Sequence, residues 1–129
     1  MAGFTASTET LVLTFLLTTI SVTRPSAAYV GLFTTVPTDV TPGTEVSGNS
    51  YSRKVVSFSI GGSSPSVATN SSGVIFNAAS GSWGQIVAAG VFDAPSGGNL
   101  LAYASIAPRN VSTGDVIRIP SGDLDITLN

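Results

Sequence analysis

The chain is predicted to be mainly β, an antiparallel β-sandwich or jelly-roll-like domain preceded by one N-terminal helix. Three observations carry that prediction. After Pro25 the sequence consists of short runs rich in Val, Ile, Phe, Tyr and Thr, separated by clusters of Gly, Pro, Asn and Ser, which is the grammar of strands and turns. The runs arrive roughly every 8 to 12 residues, the spacing of sandwiches and small barrels. Before Pro25 the period differs: Leu13, Leu16, Leu17 and Ile20 stand at i, i+3, i+4 and i+7, one face of a helix.

Taken in order, Ser7 or Thr8 can cap that helix, Glu9 suits the positive end of its dipole, and Pro25 stops it near Thr23. A strand reading competes, since Leu11, Leu13, Phe15 and Leu17 alternate and threonine is a poor helix former; the length of the segment favours the helix. Tyr29 to Thr35 reads as a strand, followed by a long loop from Val36 to Thr44. Tyr51 to Ile60 is expected to be one strand with Val56, Phe58 and Ile60 inward, ended by Gly61-Gly62-Ser63-Ser64-Pro65. Val67 to Thr69 and Val74 to Phe76 are short strands. Trp83 to Asp93 is a long one, with Gly84 and Gly90 as bulges or points of close approach. The turn Ala94 to Asn99 joins it to Leu100–Ile106 as a hairpin. Two further turns, at Gly114 and Gly122, flank Val116 to Ile119. In the last strand Leu124, Ile126 and Leu128 alternate inward with Asp125 and Thr127 outward. The only boundary lies near Thr23 to Ala28, dividing a helical docking segment (1–28) from the β-sandwich (29–129). The plainer alternative is a helix that covers an open end of the sheet.

Composition narrows the function. The 129 residues include no histidine and no cysteine, and only twelve charged side chains, seven acidic and five basic. Groups that titrate near neutrality, thiolates and soft metal ligands are therefore scarce, so no enzyme and no cofactor is expected. At 9% charged residues, against an average of about 25%, and a mean hydropathy of +0.41, the surface is expected to be covered by other subunits. The alternative is a monomer hydrated by hydroxyls and amides. Arg24, Arg53, Lys54, Arg109 and Arg118 are scattered and the net charge is −2, which leaves no footprint for nucleic acid. The apolar run Leu11–Val22 is broken by Thr14, Thr18, Thr19 and Ser21 and lacks a basic start, so it is expected neither to span a membrane nor to be a signal peptide.

Other constellations are weak. Asp123 with Asp125, two apart, reads as two solvated charges; Asp39 with Glu45 in a threonine-rich loop is at most a poor calcium site. The serines lack a base to activate them, and no glycine cluster is followed by the lysine of a phosphate loop. Asn70-Ser71-Ser72 and Asn110-Val111-Ser112 match the N-glycosylation pattern. Tyr29, Tyr51, Trp83 and Tyr103 could form a sugar platform, although their place in apolar strands favours core packing.

The run Tyr29-Val-Gly-Leu-Phe-Thr-Thr-Val-Pro-Thr-Asp39, followed by Gly43 to Arg53, then Trp83-Gly84, Gly90 to Ala94, Gly97 to Leu101, Gly114-Asp115 and the closing Ile119 to Leu128, resembles a family of small tailed-bacteriophage virion structural proteins. Ser52, Val36 and Val40 depart from the smaller or more polar residues expected there. The resemblance implies a virion protein assembled in the host cytoplasm, of the head decoration or cement type or a tail fibre-like type, and implies no catalytic residue. The leading expectation is a capsid cement protein that binds the major capsid protein and copies of itself as a homo-oligomer, without nucleic acid or membrane; the alternative is a tail or fibre component contacting the host. The expected interface comprises Leu13, Phe15, Leu16, Leu17 and Ile20, with Val36, Val40 and Val46 of the loop as a second contact.

Overall fold

The computed structural model describes residues 3–62 and 66–128. Ser63, Ser64 and Pro65 of the cluster expected to end the strand, and the side chain of Leu128, lie outside the described residues. In chain order the elements are β1 (Gly3–Phe4), α1 (Ala6–Leu17), β2 (Ala28–Thr35), β3 (Thr44–Glu45), β4 (Lys54–Val56), β5 (Phe58–Gly61), β6 (Ser66–Asn70), β7 (Val74–Ile75), β8 (Gly84–Phe92), β9 (Leu100–Val111), β10 (Arg118–Ile119) and β11 (Asp125–Leu128). The chain is mainly β, every strand pair is antiparallel, and α1 is the one helix among the described residues.

A large sheet runs β1-β9-β8-β2-β3, with β4 sharing the outer edge of β2. The facing layer is split, into a β10-β7 ribbon and a three-stranded sheet β11-β6-β5, rather than forming one continuous second sheet. The near-continuous apolar run of β2 follows from its position, because a strand covered on both faces has no polar side to show. Val30 and Leu32 enter the main core with Ile86, Val111, Phe76, Trp83 and Ile117. Phe33, on the opposite face, joins Ala88 and Phe92 under Tyr29 and Leu100. On that face a Cβ at Gly90 would lie 2.7 Å from both Phe33 and Leu100, so the close approach expected at Gly90 is real.

The main core is tied at its centre by Tyr51, whose ring stacks on Phe76 at 6.2 Å and meets Trp83 edge-on at 5.4 Å. The Trp83 indole donates to the Asn49 carbonyl at 2.9 Å. Tyr51 also completes the edge of β2. Between the rungs made with β3 and β4, the Leu32 N–H is left over, and it donates to the Tyr51 hydroxyl at 2.9 Å. Asn70, only 1% exposed, knots the small sheet to the next turn. Its amide donates to the carbonyls of Ser72 and Pro120, and its Oδ1 accepts from the N–H groups of Gly122 and Leu124.

Several expectations need correction. The predicted strand Tyr51–Ile60 is two strands: β4 belongs to the large sheet and β5 to the small one. The break falls at Ser57, whose carbonyl accepts from the Ser71 N–H. Past that corner β5 leaves the core, so Ile60 is exposed rather than inward, while Val56 is buried. The hairpin partner of β8 continues well beyond Ile106, to Val111. It carries three residues, 106–108, opposite the single Val87, and Pro108 sits in that bulge, where the missing N–H is tolerated. The helix stops at Leu17 rather than near Thr23. Thr18 leaves helical geometry and its hydroxyl bonds back to the Thr14 carbonyl at 2.7 Å. The β-branched run Thr18, Thr19, Ile20, Val22, Thr23 then opposes further turns.

Candidate functional site

The N-terminal segment is fastened at its beginning and exposed along the second half of its helix. β1 pairs with β9 through Gly3 opposite Tyr103 and Phe4 opposite Ala102. Thr5, at the position before the helix, donates its N–H to the Leu101 carbonyl at 3.0 Å and its hydroxyl to the Leu100 carbonyl at 2.7 Å. One turn on, the Thr8 hydroxyl donates to the Leu101 carbonyl at 2.7 Å. Thr5 and Thr8 are therefore the buried residues of the segment; the N-cap position is Thr5 rather than Ser7 or Thr8, and its hydroxyl bonds to the sheet and makes no capping hydrogen bond to the helix backbone. The threonines hold the helix to the sheet by hydrogen bonds, and half-buried Leu11 lines a cleft with Leu101 beside them.

Leu13, Phe15, Leu16, Leu17 and Ile20 are all exposed, Leu17 by 76%. Ile20 follows the helix rather than ending it. The apolar side of the helix is thus left uncovered by the rest of the described chain. No helix among the described residues is long and apolar enough to cross a membrane.

The first loop lies beside the start of this segment. The Ala6 N–H donates to the Asp39 carbonyl at 3.0 Å, and the Tyr103 hydroxyl donates to the Asp39 carboxylate at 2.8 Å, a bond that raises the Tyr103 pKa. Thr38 shapes the loop by accepting from the Thr41 N–H at 2.9 Å. Gly43, at φ +68°, closes it where a Cβ would collide with the backbone of Thr35 and Pro37. This construction lifts Val40 to the tip, 85% exposed, with Val36 partly so. Val46, expected in the same contact, is 5% exposed and packs in the main core. Its N–H donates to the Leu32 carbonyl, so the backbone there continues the edge of the sheet and its side chain must turn inward.

Two charged residues, Glu45 and Arg53, serve the fold. Glu45 receives Arg53 through two hydrogen bonds of 2.7 and 2.8 Å and the Tyr51 hydroxyl at 2.7 Å. Arg53 lies 3.4 Å over the Phe92 ring and donates also to the carbonyls of Ala94 and Gly97. This cluster, which nothing in the sequence singled out, clamps the β8–β9 turn to the opposite edge of the sheet. Burial, and then the bond to Glu45, push the Tyr51 phenol far above its ordinary range. Glu45 and Asp39 thus answer to different partners and do not converge on a cation. Among the described residues no three acidic side chains gather as a metal site would need. Asp125 accepts from the Thr69 hydroxyl and Asp123 lies in the preceding turn, both exposed. Trp83 and Tyr51 are core residues, Tyr29 packs against the second cluster, and Tyr103 is tied to Asp39, so the aromatics form no shared platform.

A family model described as "Podophage GP4 fiber I protein gp80" matches residues 3–127. The chain belongs to that family, a family of tailed-phage virion structural proteins. No curated protein matches it.

Proposed function

We propose that this member of the podophage fiber I family is a structural component of the virion fibre that works by contact and has no enzymatic role. The description of the family names a fibre, so the fibre alternative fits better than the capsid cement role that led the sequence reading. The observation that carries the proposal is the N-terminal segment, whose Leu13, Phe15, Leu16, Leu17 and Ile20 stand exposed together over eight residues, whereas the exposed Val55, Ile60 and Ile75 of the body lie on three separate strands. Covering such residues with a neighbouring subunit is favourable by about 1.5–3 kcal/mol for each one fully buried. Val40, on the adjoining loop, extends the same contact. The partners are copies of this chain and a neighbouring virion protein, joined as the particle assembles in the host cytoplasm.

The test is the double substitution Leu16→Asp with Leu17→Asp, introduced into the phage. The variant protein is expected to fold and to be missing from purified particles; wild-type incorporation would overturn the docking role. Immunogold labelling of intact particles separates fibre from capsid. Label confined to a few fibre positions is expected, and label spread over the whole capsid lattice would return the cement reading.

A further inference from the structure

We propose that the helix of one copy seats in an apolar groove of a second copy, joining copies head to tail. The inference rests on the docking role proposed above and names the partner for that surface. The groove lies between the bulge of β9 and the β10–β11 segment. Ile106, Pro108, Ile117, Ile119 and Leu124 line it over a floor that includes Leu32, and its volume is about 420 Å³, within the range of cavities that hold ligands.

Charge is complementary as well as apolar character. Arg109 and Arg118 border the groove, and neither takes part in an ion pair among the described residues, where Arg53–Glu45 is the one such pair. Asp123 also borders it, which leaves the arginines in excess. On the helix, Glu9, Leu13, Leu16 and Leu17 stand at i, i+4, i+7 and i+8 and so share one face. Glu9 is the sole charged residue before Arg24. A face with an acid at one end and leucines along the rest thus meets a groove with apolar walls and a basic rim.

The two surfaces occupy different places on one body. The helix is tied to β9 at Leu100 and Leu101. The groove begins at Ile106, five residues further along the strand, about 17 Å at the rise of an extended chain. A patch that fits a pocket elsewhere on the same molecule makes a heterologous contact, and copies then build a closed ring or an open filament.

Sedimentation of the full chain over a range of concentrations tests this with two variants. Leu16→Asp with Leu17→Asp spoils the helix face, and Ile106→Asp spoils the exposed wall of the groove. The wild type is expected to self-associate. Each variant alone is expected to stay monomeric, with its association midpoint raised about a hundredfold or more. Mixed, they are expected to give one-to-one pairs that grow no further, because each retains the surface the other lacks. A groove variant that assembles like the wild type, a mixture without pairs, or a wild type that stays monomeric overturns the proposal. If Ile106→Asp fails to fold, reversing the charges decides: Glu9→Arg weakens association, and adding Arg109→Glu with Arg118→Glu restores it, whereas no restoration overturns the proposal. Loss of the helix variant from particles while the groove variant incorporates and assembles normally would leave the docking role intact and remove only this partner.

Discussion

The N-terminal segment and the β-body are built from the same apolar side chains and use them in opposite directions. In the body, Leu32, Phe76 and Ile86 are fully buried between the layers, and Phe33 is fully buried on the other face of the large sheet. In the segment, Leu13, Phe15, Leu16 and Leu17 stand in solvent while two threonines fasten the helix to β9. Hydrophobicity alone therefore does not mark the core of this protein. What separates the regions is whether the backbone brings a second layer within reach: β2 has neighbours on both edges and both faces, and α1 has one.

That contrast predicts a sharp division in the response to substitution. Phe76→Ala, which opens a cavity beneath Tyr51, should lower stability in chemical denaturation by about 3–5 kcal/mol. A loss below about 1 kcal/mol would mean that the body is packed no better than the segment. Arg53→Ala should come next, at about 3 kcal/mol, because it strands a partly buried Glu45 and frees the Ala94 and Gly97 carbonyls. Added salt should rescue little of it, given that Arg53 is 8% exposed.

Tyr51 gives the body a response to alkali that the segment lacks. Its pKa is raised on folding, so the folded state keeps a proton that the unfolded state gives up above about pH 10. The stability Tyr51 contributes is full below that pH and declines as the pH climbs past it. Tyr51→Phe should remove this part of the alkaline decline and lower neutral stability by about 1 kcal/mol; an unchanged alkaline slope would place the phenol in contact with solvent. The smallest effect is expected from Leu16→Ser, within about 0.5 kcal/mol in dilute monomer. A clear loss there would show that the helix is stabilised by its own domain after all.

Much of the architecture was legible in the sequence because strand period and turn chemistry are local. The hairpin around Ala94 to Asn99, the Gly90 contact and the paired turns at Gly114 and Gly122 were all readable from short patterns. What escaped detection depended on distant partners. The corner at Ser57 exists because Ser71 bonds its carbonyl there, and β1 is a two-residue strand defined only by its pairing with β9. The exposed helix residues Leu13, Leu16 and Leu17 stood out by their spacing, whereas Val46 looked like a loop valine until the hydrogen bond to Leu32 turned it inward. The Glu45–Arg53–Tyr51 cluster gave no signal, since three residues spread over nine positions acquire meaning only when the turn after β8 folds onto them. The groove was likewise invisible, being assembled from the bulge of β9 and a ribbon formed far along the chain.

The knot at Asn70 bears on how the protein can be produced. Its side chain lies within a glycosylation acceptor pattern, yet both amide protons are engaged and the residue is 1% exposed. An oligosaccharide attached in a eukaryotic secretory pathway before the chain folds would occupy the position from which Asn70 holds Pro120, Gly122 and Leu124. Asn110, exposed on β9, would carry a glycan on the surface. Secreted eukaryotic expression should thus yield native protein decorated only at Asn110, with any Asn70-modified fraction misfolded, and Asn70 is the position to watch when choosing a host.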